Sequence, residues 1–143
     1  MSTYYALDRP EDAEQETVIK WARLSSGKWP ELELLHHIPN GGKRNAKEAA
    51  KLKRMGVLAG VSDLHLPVPR SGYHSLYVEM KSEDGRLQQS QKSFLKSAAA
   101  RGNCCIVCYT AEDAIKAIEN YLHNRKIENL SIMKRGKNIG TVS

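Results

Sequence analysis

The segment Leu76-Tyr77-Val78-Glu79-Met80-Lys81 most constrains what this chain can become. In a β-strand, residues two apart project to the same face. Glu79 and Lys81 therefore point one way, while Val78 and Met80 can be buried on the other. Upstream, Gly60-Val61-Ser62-Asp63 leads into the short apolar segment Leu64-His65-Leu66. If the two segments pair as strands, Asp63 joins Glu79 and Lys81. Two carboxylates and an ammonium at one spot suit a divalent cation that helps cut phosphodiesters: the carboxylates would hold Mg²⁺, and the lysine would orient a water or offset charge in the transition state. A Glu-x-Lys pair alone is a weak signal, since a salt-bridged strand face explains most of them. Its weight here comes from the acid that precedes it. Gln91, near the start of the next helical stretch, adds a group able to hydrogen-bond a phosphate or a bound water.

The chain has 143 residues, 41% of them hydrophobic, which suits one domain with a real core. No apolar run approaches the roughly 20 residues needed to span a bilayer, so no membrane role is expected. The N-terminal Met1-Ser2-Thr3-Tyr4-Tyr5 lacks a basic stretch followed by an apolar core, and the expected location is the cytoplasm. The net charge of +6 favours an anionic partner, most commonly nucleic acid. The three cysteines, Cys104, Cys105 and Cys108, are odd in number and lie within an apolar run. They read as small apolar residues of a buried strand, not as a disulfide framework or a zinc site.

Helical spacing of Val18, Trp21 and Ala22, with Leu24 near the same stripe, predicts a first helix over residues 11–25. A strand is expected over 32–38, closed by the turn signal Pro39-Asn40-Gly41-Gly42. A second helix is expected over 45–55, stopped by Gly56. Strands follow at 62–67 and 75–81, a helix at 88–100, a strand at 104–109, and a last helix capped by Thr110. That order predicts an α/β fold, a mixed sheet with helices packed on it. After Leu122 the periodicity decays. Residues 1–122 are expected to form the domain, and 123–143 a flexible or partly ordered basic extension.

Asn40-Gly41-Gly42-Lys43-Arg44 lets the backbone approach a phosphate and supplies charge beside it. Lacking the Gly-Lys-Ser/Thr ending of a P-loop, it reads as a polynucleotide-backbone contact. Lys47, Lys51, Lys53 and Arg54 on the second helix would hold flanking phosphates. His36 and His37 face opposite sides of a strand, and each reads as a packed or solvent-facing side chain. Among the early acids Glu11, Glu14 and Glu16, the plain reading is complementing the helix dipole; the alternative is an extra carboxylate beside the metal.

Together these residues resemble the VRR-NUC family, the virus-type replication-repair nuclease domain of the PD-(D/E)xK superfamily. The similarity runs over about residues 12–122. It includes Glu14-Gln15 and Trp21-Ala22, then His37 through Arg44, Gly60-Val61-Ser62-Asp63, Val78-Glu79-Met80-Lys81, and Gly85-Arg86-Leu87 ahead of Gln91. Ser62 stands where the superfamily has a proline before the aspartate. The resemblance implies a restriction-endonuclease-like mixed sheet and a Mg²⁺- or Mn²⁺-dependent endonuclease acting in replication or repair. It implies Asp63 and Glu79 as metal ligands, Lys81 as the catalytic lysine, Glu14 as the supporting helical acid in preference to Glu16, and Gln91 as an accessory residue. Small members resemble Holliday-junction resolvases, which implies a homodimer acting on DNA, in particular four-way junctions. The alternatives are a flap or nicking endonuclease of the same fold, or a non-catalytic nucleic-acid-binding module.

Overall fold

The computed structural model describes residues 9–39 and 45–143. The Asn40–Arg44 turn therefore lies outside the described residues. The first helix, α1 (Asp12–Leu24), places Val18 and Ala22 in the core. Leu24 is 81% exposed, one position past the stripe that docks. The strand expected over 32–38 is mostly something else. Pro30 opens a 3-10 turn over Pro30–Leu34, and only His36–His37 (β1) is extended. Leu32 and Leu35 are both buried. At three residues per turn, side chains three apart eclipse one another, so the tighter helix drops both leucines onto the same core. Proline at its first position costs no hydrogen bond.

The second helix, α2 (Ala46–Arg54), is capped by Asn45, whose side chain accepts from the Glu48 amide at 2.7 Å. No α2 residue is buried. Then follow β2 (Leu64–Leu66), β3 (Leu76–Met80), α3 (Gln89–Ala100), β4 (Cys104–Cys108) and α4 (Ala111–Leu122). With β5 (Ser131–Lys134) and β6 (Lys137–Thr141), the strands form one sheet in chain order, antiparallel from β1 to β3, parallel from β3 through β4 to β5, and antiparallel again at β6.

The sheet has two covered faces. Leu64, Leu66, Leu76, Val78, Met80, Ile106 and Cys108 pack toward α1 and α4. Cys105 and Val107 pack on the other face with Leu95 of α3. This explains why β4 is apolar throughout: a central strand buried on both sides has no solvent face to mark with polar residues. The three thiols are free and buried. Burial pushes Cys104 and Cys105 up to about 12, so neither is poised for redox or metal chemistry.

The extension over 123–143, expected to be flexible or partly ordered, carries two strands. Ser131–Lys134 (β5) and Lys137–Thr141 (β6) form a hairpin that continues the sheet beyond β4. Its two-residue loop, Arg135-Gly136, has φ of +50° and +81°, the paired positive values that suit the twist of a tight hairpin. The buried Asp113 of α4 anchors it. One carboxylate oxygen accepts from the Arg135 amide at 2.8 Å and the other from the Gly136 amide at 2.7 Å. The Thr110 hydroxyl donates to the same carboxylate at 2.8 Å. The sheet thus continues past residue 122. Asp113→Ala is expected to cost about 2–3 kcal/mol, because it strands two amides that bond a charged acceptor. Urea unfolding checks the cost, and amide exchange should show the loss concentrated in 131–141. Unchanged protection there would remove Asp113 as the anchor.

Candidate active site

The site forms where β2 and β3 begin and end beside the start of α3. Asp63 immediately precedes β2, and its backbone is held by the end of β1. Its carbonyl accepts from the Ile38 amide at 2.9 Å and from the His37 ring Nδ1 at 2.7 Å. Since a carbonyl can only accept, His37 carries its proton on Nδ1. His37 is thereby assigned a positioning contact. The Asp63 carboxylate turns to β3, where it accepts from the Met80 amide at 2.8 Å.

Antiparallel register pairs Leu64 with Val78 on the α1 side of the sheet. The alternation then puts Asp63, Glu79 and Lys81 on the opposite, α3 side. Glu79 is 2% exposed and Asp63 8%. The Lys81 ammonium lies 3.8 Å from a Glu79 oxygen, and the Lys81 amide donates to the Cys108 carbonyl at 2.9 Å, fixing it to the end of β4.

Gln91 bonds in two directions. Its side-chain oxygen accepts from the Gln88 amide at 2.9 Å, and its NH₂ donates to the same Glu79 oxygen at 3.1 Å. One contact caps the helix and the other orients the carboxylate. The first fixes which end of the amide is oxygen, so the second is its necessary counterpart. The structure thus spends this amide on Glu79 and on the helix cap, where the sequence suggested a phosphate or a water.

The remaining Glu79 oxygen, Oε1, is buried with no hydrogen-bond partner among the described residues. Burial, and next the adjacent Asp63 carboxylate, hold Glu79 well above the ordinary carboxylate range; the Lys81 ammonium opposes this in part. A buried, under-coordinated carboxylate beside a second one is what a bound cation would relieve. Among the described residues no group of three or more His, Cys, Asp or Glu side chains gathers to hold a metal. The donor set is two carboxylates, which suits Mg²⁺ or Mn²⁺ completing its shell with water and phosphate, and not a closed protein cage.

A cavity of about 190 Å³ opens here, lined by Asp63, Glu79, Gln91, Gly60, Arg9 and Glu11 among others. Glu14 is not brought to it. It lines a separate cavity with Thr17, Thr110 and Arg135, and Glu16 is exposed. The acid at the site is Glu11, which stands just ahead of α1, and Arg9 lies 3.9 Å from it. Only the acidic start of the first helix hinted at Glu11, and nothing in the sequence singled out Arg9. On α2, Lys51 and Arg54 are exposed and share one side of the helix with Lys47. The Asn40, Gly41, Gly42, Lys43 and Arg44 contact stands outside the described residues.

Gly60 sets the approach of α3. Its φ is +88°, and a Cβ there would lie 2.2 Å from the Ser90 carbonyl oxygen. The loop before Asp63 and the first turn of α3 can meet this closely only around a glycine. Gly60→Ala is expected to cost about 2 kcal/mol or more from the contact and the left-handed backbone together. It should also move Gln91 away from Glu79. A crystal structure of the variant with Gln91 unmoved would contradict this.

A model of the VRR-NUC domain family matches residues 9–112. A solved structure described as a VRR_NUC domain protein aligns with a TM-score of 0.70 at 30% identity, over 85% of this chain and 95% of that one. No curated protein matches the chain. Among the described residues, no helix is long and apolar enough to cross a membrane. The six-stranded mixed sheet and four α-helices of the described residues agree with that neighbour's fold, and the family match spans every residue of the cavity around Asp63 and Glu79. The chain belongs to the VRR-NUC family and carries a nuclease-type domain.

Proposed function

We propose that the protein is a divalent-metal-dependent DNA endonuclease, selective for branched DNA and acting as a homodimer in replication or repair. The observation that supports it most directly is the buried Glu79 oxygen beside Asp63 that has no hydrogen-bond partner among the described residues, with Lys81 at 3.8 Å from the same carboxylate. Asp63 and Glu79 would hold Mg²⁺ or Mn²⁺, which when bound polarises a phosphate and acidifies a water. Gln91 keeps the Glu79 carboxylate turned toward the cavity. Lys81 places a fixed positive charge where negative charge grows on the phosphate during attack. Exposed Lys47, Lys51 and Arg54 supply attraction to the flanking backbone, and this contribution weakens as salt rises.

A non-catalytic binding module would share the basic charge. It gives no reason for two buried carboxylates beneath a surface meant for phosphate. The preference for four-way junctions rests on symmetry: two equivalent cuts need two active sites related by a two-fold axis. The test is cleavage of labelled four-way junction, flap, single-stranded and linear duplex DNA with Mg²⁺ or Mn²⁺, beside Glu79→Ala. Paired symmetric cuts in the junction, absent from the variant, are expected. Cutting of flaps or duplex alone would discard the junction role. Intact DNA binding with no metal-dependent cutting anywhere would discard the nuclease.

A further inference from the structure

Residues 82–88 join Lys81, at the end of β3, to the first turn of α3, which carries Gln91. Two groups that touch Glu79 therefore hang on one connection. It contains no helix or strand, and Glu83, Asp84 and Arg86 are exposed. Such connections move more than the elements they join, unless something holds them.

The hold comes from the far side of β4. Register pairs Met80 with Cys108, so Lys81 and Tyr109 leave the sheet side by side. The Tyr109 hydroxyl donates to the Gly85 carbonyl at 2.9 Å. The Lys134 ammonium of β5 donates to the Glu83 carbonyl at 3.2 Å and stands 4.7 Å from the centroid of the Tyr109 ring. The Glu83 carboxylate lies 3.6 Å from the Lys134 ammonium and 3.0 Å from the Arg135 guanidinium. Arg135 is itself fixed, since Asp113 accepts its amide at 2.8 Å. Beneath these contacts Leu87, Tyr109 and Ile132 pack against the cluster around Leu95.

The family model matches residues 9–112, so the hairpin lies wholly beyond that stretch, yet its basic side chains reach back to the connection inside it. Stability does not account for the arrangement. The Glu83 side chain is 51% exposed, and ion pairs in water contribute little. Placement does account for it, because a shift of about 1 Å in a reacting group can lower a rate on the order of a hundred-fold.

We propose that Tyr109, Lys134 and Arg135 are positioning residues: through Gly85 and Glu83 they hold the 82–88 connection, and with it Lys81 and Gln91, against Glu79. The consequence for cleavage rests on the nuclease reading above, but the placement itself is read without DNA or metal. The rival is that Lys134 and Arg135 only attract phosphate, with Glu83 competing for them.

The experiment uses the full chain with Glu83→Gln, Lys134→Gln and Tyr109→Phe. In metal-free protein, the Gln91 side-chain NH₂ resonances should move toward those of a solvated amide in each variant. The Gly136 amide, held by Asp113, should keep its protection and report that the hairpin is still folded. In Mg²⁺, single-turnover cleavage should slow roughly ten-fold in each, with DNA affinity within about two-fold of the unchanged protein. Glu83→Gln and Lys134→Gln change the charge in opposite senses. Phosphate attraction alone predicts tighter DNA binding for the first and weaker for the second. That opposed pattern, or Gln91 resonances unmoved in all three, would overturn the proposal. If Tyr109→Phe does not fold, the exposed Glu83→Gln still decides. Displaced Gln91 resonances in a protein that cuts no DNA would sink the nuclease and leave the hold standing. Cleavage at an unchanged rate in all three variants would do the reverse.

Discussion

Lys81→Ala is expected to lower DNA cleavage by about a hundred- to a thousand-fold while leaving DNA affinity close to unchanged, the size of effect seen when one fixed donor to developing charge is removed. The position of Lys81 explains the split. Its side chain is 11% exposed, and it contacts Glu79. It is therefore badly placed to attract DNA from solution and well placed to meet charge that forms on a bound phosphate. Its removal also leaves Glu79 without its nearest cation. Lys81→Arg should recover little, because a planar fork on a longer stem does not place its charge where the ammonium lies. Single-turnover cleavage with saturating enzyme, run beside an anisotropy titration, separates the two quantities. Cleavage within a few-fold of the unchanged protein would remove Lys81 from the mechanism.

The second large effect concerns stability and metal together. Glu79 has an ordinary carboxyl value of 4.5, and the fold raises it by burial first and by Asp63 next. The metal-free folded protein therefore holds a proton that the unfolded chain releases above that value. Between the unfolded and folded values the native state binds more protons, so this group's stability is full at low pH and is lost as pH rises. Metal-free protein should accordingly be less stable at pH 8 than at pH 6 through this group.

Mg²⁺ or Mn²⁺ should reverse the trend. It would bind the ionised carboxylate, so its affinity and its stabilisation should grow with pH, reaching about 2.7 kcal/mol when metal exceeds its dissociation constant a hundred-fold. Glu79→Gln should remove the group's pH dependence and raise metal-free stability at pH 8 by on the order of 1 kcal/mol, since a neutral amide takes up no proton on folding. It should also abolish the metal response. Thermal unfolding at both pH values, with and without metal, checks all three signs. A variant that metal stabilises as well as it does the unchanged protein would mean that Glu79 is not a ligand.

Local physics made much of this fold legible. The alternation through Leu76–Met80 and the apolar run Cys104–Cys108 are strands because their side-chain periods admit little else. The helices α1 to α4 followed from spacing, caps and glycine stops. Asp63, Glu79 and Lys81 could be placed on one face because strand alternation fixes direction once pairing is assumed. The 3-10 turn at Pro30–Leu34 was less legible, because Leu32 and Leu34, two apart, fit the alternation of a strand, whereas the leucines that are buried are Leu32 and Leu35.

Other decisions required distant parts of the chain to meet. The tail joins the sheet because β4 offers an open edge and because Asp113, 22 residues before Arg135, holds the hairpin loop. Neither the edge nor that carboxylate is visible in the basic sequence of 123–143. Which helical acid reaches the site depends on how α1 docks against the sheet. Spacing groups acids by face, but only docking chooses Glu11 at the helix end over Glu14 one turn later. Gln91 was visible as a polar residue at a helix start. Its pairing with Glu79 exists because Gly60 lets α3 approach the loop before Asp63. The strands, the helices and the face on which the acids stand follow from local residue order, since these depend on neighbours a few bonds away. The partners of each side chain were decided only when the sheet edge, the hairpin and the first turn of α3 were packed together, because those contacts join residues that no local rule connects.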